Sequence, residues 1–312
     1  MRLIAAFLRM VRLPNLIFIA LTQVLFQVCI FYPLYGEAVA PGDTLSFIML
    51  LFASVFIAAG GYIINDYFDI NIDEVNKPGR MVVDKLISRR WAIAWHFMLS
   101  ASGIFLTALA LPVREKWYLV VANMGCVALL WFYSTNFKRK LLIGNVIISL
   151  LTAWTILIIF FSKVNISDAW GPGFAGQPKL FRFAFLYAGF AFIISLIREA
   201  IKDVEDMPGD SRYGCKTMPI VWGVNATRIY VAVWIVVLAA MLGVVQVYIL
   251  QFKWWIPVVY CALLIVAPLL LLLWKLTRAL HTKDYKKLSS LTKLIMLAGI
   301  LSMLVFHLVI GT

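Results

Sequence analysis

Two stretches of the chain carry aspartates in a repeated pattern. In "NDYFDINIDEVNKPGR", residues 65–80, Asp66, Asp69 and Asp73 stand at i, i+3 and i+7. In "KDVEDMPGDSRYGCK", residues 202–216, Asp203, Asp206 and Asp210 repeat that spacing. Residues three, four and seven apart share one face of a helix, so each trio is expected on a single face. Pro208–Gly209 is expected to break the second helix part-way. Three carboxylates on one face repel one another unless cations intervene. Mg²⁺ is commonly held by one or two carboxylates together with substrate phosphates, so the pattern predicts a Mg²⁺ site that receives a diphosphate. Lys77, Arg80, Lys202, Arg212 and Lys216 flank the aspartates and would complete such a clamp. A solvated, charge-mixed loop would account for either stretch alone, but not for two matched in spacing.

The elements that must position these residues are membrane helices. Of the 312 residues, 63% are hydrophobic and only 14% charged, with a mean hydropathy of +0.93. Soluble domains use about 45–50% apolar residues. A bilayer core requires ~20 apolar residues per helix. Such runs occur at 15–35, 44–65, 92–112, 117–135, 143–162, 181–200, 228–250, 255–274 and 291–310. The expected fold is therefore all-α, a polytopic bundle of about nine transmembrane helices, with residues 1–312 forming one domain and no soluble appendage. The apolar stretch from Leu16 followed by "AVA" at 38–40 imitates a cleavable signal peptide. It is longer than such a core and is followed by Pro41, so it reads as an uncleaved first span.

The net charge of +13 reads as membrane orientation rather than nucleic-acid binding. With the N-terminus cytoplasmic, 22 of the 28 Lys and Arg fall on that side; Arg114, Lys116, Lys163, Lys179, Arg182 and Lys253 are the rest. Ten of the 15 acidic residues lie in two segments on the same side. Acidic residues have little influence on topology, so their concentration asks for a ligand. A polyprenyl diphosphate fits an apolar bundle with an acidic mouth, its head at the metals and its tail among the spans. No G-x-x-x-x-G-K-[ST] or G-x-G-x-x-G cradle for a nucleotide is present. A transporter is the rival class, but transporter sites lie near the midplane, and no span carries a midplane acid.

Other features take plainer readings. Cys29, Cys126, Cys215 and Cys261 are far apart and read as buried thiols. His96, His281 and His307 lack ligand spacing and read as packing or interface residues. The basic stretch 275–293 reads as an inside loop near anionic head groups. Trp91, Trp117, Trp254 and Trp255 read as an aromatic belt, and Asn165-Ile-Ser167 fits a glycosylation sequon.

"NDYFDINID" matches the N-D-x-x-D-x-x-x-D signature of the UbiA superfamily of intramembrane prenyltransferases, which the chain resembles over nearly its whole length. "NKPGR" at 76–80, "YSTNFKRK" at 133–140 with "GN" at 144–145, and "DMPGD" at 206–210 followed by "GCKTMPI" resemble its further landmarks. Met81 stands where many relatives have a second proline. The resemblance implies a ring of nine helices around a central cavity, capped by the two Asp-rich loops. It implies that Asp66, Asp69, Asp73, Asp206 and Asp210 hold Mg²⁺ on the diphosphate, with Asn65 assisting. Lys138, Arg139 and Lys216 would neutralise the leaving group, and Tyr133 would face the allylic cation with its ring or, as a Tyr at a span's end, belong to the interfacial aromatic belt. "REAIKDVEDMPGDSRYGCKTMPI", 198–220, is most similar to the branch that alkylates the hydroxyl of geranylgeranylglyceryl phosphate for ether lipids. Aromatic acceptors (4-hydroxybenzoate or dihydroxynaphthoate) are the alternative. Arg198 and Lys202 suit the phosphate of the one acceptor or the carboxylate of the other. The implied partners are a prenyl diphosphate, a lipidic or aromatic acceptor and membrane lipids, with no nucleic acid and no obligate protein partner. The implied setting is a bacterial or archaeal plasma membrane.

Overall fold

In lipid every backbone polar group needs a partner within its own segment, so apolar runs of this length form helices. The computed structural model describes residues 2–36, 39–76, 79, 81–164 and 178–310. The described residues are all-helical apart from turns and one isolated bridge between Val83 and Ile87. A short amphipathic helix, α1 (Arg2–Met10), exposes Leu3 and Ile4 and buries Ala6 and Met10. Among the described residues, nine helices are long and apolar enough to cross a membrane: α2 (Leu13–Tyr35), α3 (Asp43–Phe68), α5 (Arg89–Ala110), α6 (Val113–Thr135), α7 (Ile143–Lys163), α8 (Pro178–Arg212), α10 (Gly223–Leu250), α11 (Trp255–Arg278) and α12 (Thr282–Ile310). Between them lie two short helices, α4 (Ile70–Asn76) and α9 (Met218–Val221). α2 and α11 each pass through a π-helical turn, at Phe26–Phe31 and Ala262–Val266. The protein is a multi-pass integral membrane protein. Its lipid face is the array of exposed apolar side chains, such as Phe52, Phe105, Val244, Val247, Leu263 and Leu308.

Lipid tails are as apolar as leucine, so packing rather than hydrophobic burial must hold the helices together. α8 is the innermost helix: 56% of its apolar window is buried, against 22% for α6 and α10. It lies against α7, α12 and α10. α3 and α5 approach most closely, and glycines permit it. A Cβ on Gly103 would stand 2.7 Å from Ile57 Cγ1 and 3.0 Å from the Ala53 carbonyl; one on Gly60 would stand 2.9 Å from Ser100 Oγ. His96 is buried in this seam, its Nδ1 2.9 Å from the Gly60 carbonyl, which makes it a packing residue as expected. The four cysteines are free and buried.

Polar pairs close the end of the bundle away from the aspartates. Asp43 at the start of α3 accepts from Lys163 at the end of α7 and from Gln27 Nε2 at 2.7 Å. Lys163 lies over the Phe31 ring at 4.8 Å. Lys116, at the start of α6, donates to the last carbonyls of α7, those of Phe161 and Ser162, where a cation is favoured by the helix dipole.

Two expectations need correction. Pro208–Gly209 does not break α8, which continues to Arg212, for a reason that belongs to the site below. The stretch 275–293 is mostly helical, because α11 runs to Arg278 and α12 starts at Thr282. Arg228 fastens that turn by donating to Tyr285 Oη at 2.7 Å and to the Ala279 carbonyl. Of the four tryptophans at span ends, Trp254 is half-buried. It packs on Phe306, whereas Trp91, Trp117 and Trp255 are exposed. The sequon at 165–167 lies outside the described residues.

Overpacking a tight seam costs about 1–3 kcal/mol. Gly103→Leu should therefore lower the thermal midpoint in detergent by several degrees. Gly125→Ala, where an added Cβ meets nothing within 4 Å, should leave it unchanged. Equal midpoints for the two variants would refute the seam as a source of stability.

Candidate functional site

The first acid-rich segment is not one helix. α3 ends at Phe68, Asp69 is its C-cap with φ −94° and ψ 1°, and α4 starts at Ile70. The expected single face is thus bent at Asp69. The register survives, because Asp69 N–H donates to the Asn65 carbonyl (3.0 Å) and Asp73 N–H to the Asp69 carbonyl (2.8 Å). Asp66 and Asp69 each find a partner from another part of the chain. Arg12 Nη2 donates to Asp66 Oδ1 at 2.6 Å, and Lys138 forms an ion pair with Asp69 Oδ1. The other oxygen of Asp69 accepts from Asn65 Nδ2 at 2.8 Å.

Arg12 stands at the junction of α1 and α2, where it is the N-cap of α2 with φ 53° and ψ 54°. That left-handed conformation costs a non-glycine residue about 1–2 kcal/mol. It turns the chain so that the guanidinium reaches Asp66 and lies 5.2 Å from the centroid of the Tyr62 ring. Burial works against the charge, and the attraction and hydrogen bond of Asp66 outweigh it, holding the Arg12 pKa above its ordinary value.

The second segment is the end of α8. A proline inside a helix removes an N–H and crowds the carbonyl four residues back, so the helix needs outside support. Asn76, the last residue of α4, supplies it. Its Nδ2 donates to the Asp206 carbonyl at 2.9 Å, and its Oδ1 accepts from Gly209 N–H at 2.8 Å. Gly209 must be glycine for this contact, since a Cβ there would stand 2.5 Å from Asn76 Nδ2. One carboxamide thereby joins the two acid-rich segments. A second link is the Lys216 N–H donating to the Arg139 carbonyl at 2.7 Å. Cys215, beside it, lies within electrostatic reach of Asp210, Arg139, Lys138 and Asp69; burial raises its thiol pKa, and Asp210 adds to the effect.

Between the two segments lies Tyr133, at the end of α6. It is half-buried, within electrostatic reach of Glu199, Asp69 and Asp203, so it faces the acidic mouth. Its ring bounds the space beside Gly144, where a Cβ would also stand 2.9 Å from Lys138 Cα. Asn145 Nδ2 donates to Asp203 Oδ2 at 2.9 Å. Lys202 pairs with Glu199 Oε2 (3.3 Å) and stays within electrostatic reach of Asp203; the other oxygen of Glu199 accepts from Arg198 Nη1 at 2.9 Å. The side chains of Arg139, Arg212 and Lys216 are exposed. Lys77 and Arg80 lie outside the described residues.

Three participants carry roles that the sequence did not assign. Arg12 reads in sequence only as an inside-facing topological cation. Asn76 continues the three-residue stripe Asp73–Asn76, which was a usable signal, and Asn145 stands in the "GN" landmark without an assigned role. The aspartates and the Asn65 carboxamide offer hard oxygen donors to a divalent cation, which suits Mg²⁺. Asn65 Oδ1 is buried without a hydrogen-bond partner and is one such donor. Among the described residues no three His, Cys, Asp or Glu converge into a closed metal cage, so a cation here would be completed by ligand oxygens.

A bundle of membrane helices with carboxylates from two segments joined at one end suits an amphiphile with an anionic head. The chain belongs to the UbiA prenyltransferase family, whose model matches residues 15–300, and it is a prenyltransferase. It is 30% identical over 251 residues to a digeranylgeranylglyceryl phosphate synthase of Methanospirillum hungatei, covering 80% of this chain and 78% of the relative. It is 31% identical over 271 residues to the synthase of that name from Methanoculleus marisnigri, covering 86% and 85%. The fold is similar to a solved structure of digeranylgeranylglyceryl phosphate synthase in membranes (TM-score 0.61, 22% identity, 97% of this chain and 99% of that one). It is also similar to a UbiA homologue from Archaeoglobus fulgidus bound to DMAPP and Mg²⁺ (TM-score 0.57, 16% identity, 95% and 98%).

If Asn76 is the latch between the two segments, Asn76→Ala should speed amide hydrogen exchange across 70–76 and 206–212 at least tenfold, leaving α5 and α10 unchanged. Gly209→Ala should do the same by collision. Unaltered exchange in both variants would remove the latch.

Proposed function

We propose that this prenyltransferase moves a geranylgeranyl group from its diphosphate to the hydroxyl of geranylgeranylglyceryl phosphate, at the cytoplasmic face of the membrane. The observation that carries the reading is the joining of two acid-rich segments, from opposite halves of the chain, into one mouth above an apolar bundle. The names of the relatives support the acceptor. The excess of Lys and Arg at the ends that carry the site supports the sidedness.

In this reading Asp66, Asp69, Asp73, Asp206 and Asp210 hold Mg²⁺, with Asn65 assisting. The metal, when bound, screens the diphosphate and stabilises the charge it takes on departure. Lys138 stands beside Asp69, poised to share that charge, and Arg139 and Lys216 add positive potential at the rim. The bond between carbon 1 of the prenyl chain and the diphosphate oxygen breaks, and its electron pair leaves with the diphosphate. Tyr133 presents its ring to the allylic cation, and the apolar wall keeps water from quenching it. The acceptor's hydroxyl oxygen then bonds to carbon 1, and its proton passes to the departed diphosphate.

With geranylgeranyl diphosphate and Mg²⁺, the purified protein should release diphosphate when given geranylgeranylglyceryl phosphate, and chelation of the metal should stop it. Asp66→Asn and Asp206→Asn should each lower turnover by about 10³-fold or more, in keeping with the loss of a preorganised electrostatic contact, with the melting curve retained. Full activity in both would sink the metal site. An acceptor screen with mass spectrometry of the lipid product tests the rest: preference for 4-hydroxybenzoate or dihydroxynaphthoate would replace the ether-lipid reading with the aromatic one.

A further inference from the structure

The surface beside the mouth carries a feature that the two aspartate segments do not use. α1 turns Ala6 and Met10 inward, where they pack with Ile63, Val82 and Ala92. Phe7 lies against Trp95 of α5, with ring centroids 4.8 Å apart. The other side of α1 carries Leu3 and Ile4, 69% and 67% exposed, then Leu8, with Arg9 at its edge. The turn leading into α5 repeats this mixture: Leu86 and Trp91 are exposed among Lys85, Arg89 and Arg90. Residues 1–12 and 81–91 together hold six Lys and Arg against one acid, Asp84. Arg12 is paired with Asp66 and lies in the field of Asp73 as well, and Arg89 is paired with Asp84. Arg9 and Arg90 stay at the surface. Leu13 and Ile17 then carry the exposed apolar side onto the lipid face of α2.

We propose that α1 and the turn before α5 form a docking face for the anionic head groups of the surrounding leaflet, and that seating this face holds Arg12 on Asp66. A helix of this kind lies in the interface plane, its apolar side at the head-group boundary and its cations at the level of the phosphates. Only Val11 and Arg12 separate α1 from the first span, which keeps it at the bilayer surface. A soluble acidic partner would match the arginines but would leave Leu3, Ile4 and Leu8 without an apolar layer to enter. Arg12 is the joint between the seated helix and the acidic mouth. Its left-handed backbone, with φ 53°, persists in a non-glycine residue only where the surroundings hold it. Asp66 holds one side of that joint through the guanidinium, and the seated α1 holds the other. Lifting α1 from the surface would free the joint, and Asp66 would lose its cation. The docking face does not depend on which acceptor is used; only the turnover arm of the test rests on the prenyl-transfer reading above.

The test uses the full-length protein, one copy per nanodisc, in phosphatidylcholine with or without phosphatidylglycerol. The amides of Val11, Arg12 and Asn15 donate to the carbonyls of Phe7, Arg9 and Arg12, so their hydrogen exchange reports the joint. Anionic lipid should slow that exchange about tenfold, the scale of two basic residues at a charged surface, and leave α7 unchanged. Arg9→Gln combined with Arg90→Gln should erase the lipid dependence. Leu3→Glu combined with Ile4→Glu should keep exchange fast in both lipids, with an unchanged melting midpoint. Equal exchange of the wild type in the two lipids would overturn the docking face. Equal slowing by soluble polyglutamate would assign the face to an acidic protein and overturn the lipid partner. In turnover of geranylgeranyl diphosphate with Mg²⁺ and acceptor, the Leu3→Glu, Ile4→Glu pair should lower the rate. Adding that pair to Arg12→Gln should lower it no further, because both act through one contact. Additive losses would overturn the coupling to Asp66. A wild type whose exchange responds to the lipid but which turns over no prenyl diphosphate would count against the proposed reaction and leave the docking face standing.

Discussion

A carboxylate at the end of a membrane helix must be neutralised where it stands, because bulk water is only partly available to solvate it. The rest of this structure is arranged around that constraint. Asp66 takes its cation from the start of α2, Asp69 from the turn after α6, and Asp203 its amide from the start of α7. Each partner comes from a different helix, so neutralising the carboxylates also fixes the helices relative to one another. Isolated ion pairs are weak stabilisers, and exposed ones weaker still. Here the pairs are partly buried and specify register more than they add stability.

The opposite end follows the same logic with other residues. Asp43, Lys163 and Gln27 join α3, α7 and α2, and Lys116 covers the carbonyls where α7 ends. The middle of the bundle uses uncharged pairs: Gln23 of α2 donates to Ser54 Oγ of α3 and to the Thr155 carbonyl of α7, and Asn123 of α6 donates to Thr107 Oγ1 of α5. There glycines bring backbones together, as at Gly60 and Gly103, or admit a ring, as at Gly299, where a Cβ would stand 2.3 Å from Phe190 Cε1. The molecule is thus fastened at both rims by charge and amides, and in between by shape and uncharged hydrogen bonds.

This division explains what the sequence could show. Hydropathy located every span, because lipid contact is a property of consecutive residues. It ended the sixth run at residue 200 although α8 continues to Arg212, since those final turns leave the apolar layer and are held by Asn76. It began the ninth run at residue 291 although α12 starts at Thr282, for hydropathy does not register a solvated helical turn. The aspartates were legible from spacing alone. The contacts of Arg12, Asn76 and Asn145 were not, although the last two stand in family landmarks, because each acts through a partner 54 to 133 residues away, which local pattern cannot express. Pro208 misled for the same reason: its local rule is sound, and a distant carboxamide overrides it.

The amide of Asn76 also bears on how the chain is made. Asp66 leaves the ribosome with Arg12 already synthesised 54 residues earlier, so its counter-charge is at hand when the span ends. Asp69 must wait for Lys138, and α4 cannot dock until Asp206 and Gly209 have emerged, 130 and 133 residues after Asn76. Translation order thus becomes assembly order. The first half of the mouth is inserted early and kept provisional, and it closes only when the sixth span arrives, so a truncated chain lacking α8 would present a half-built acidic rim to quality control.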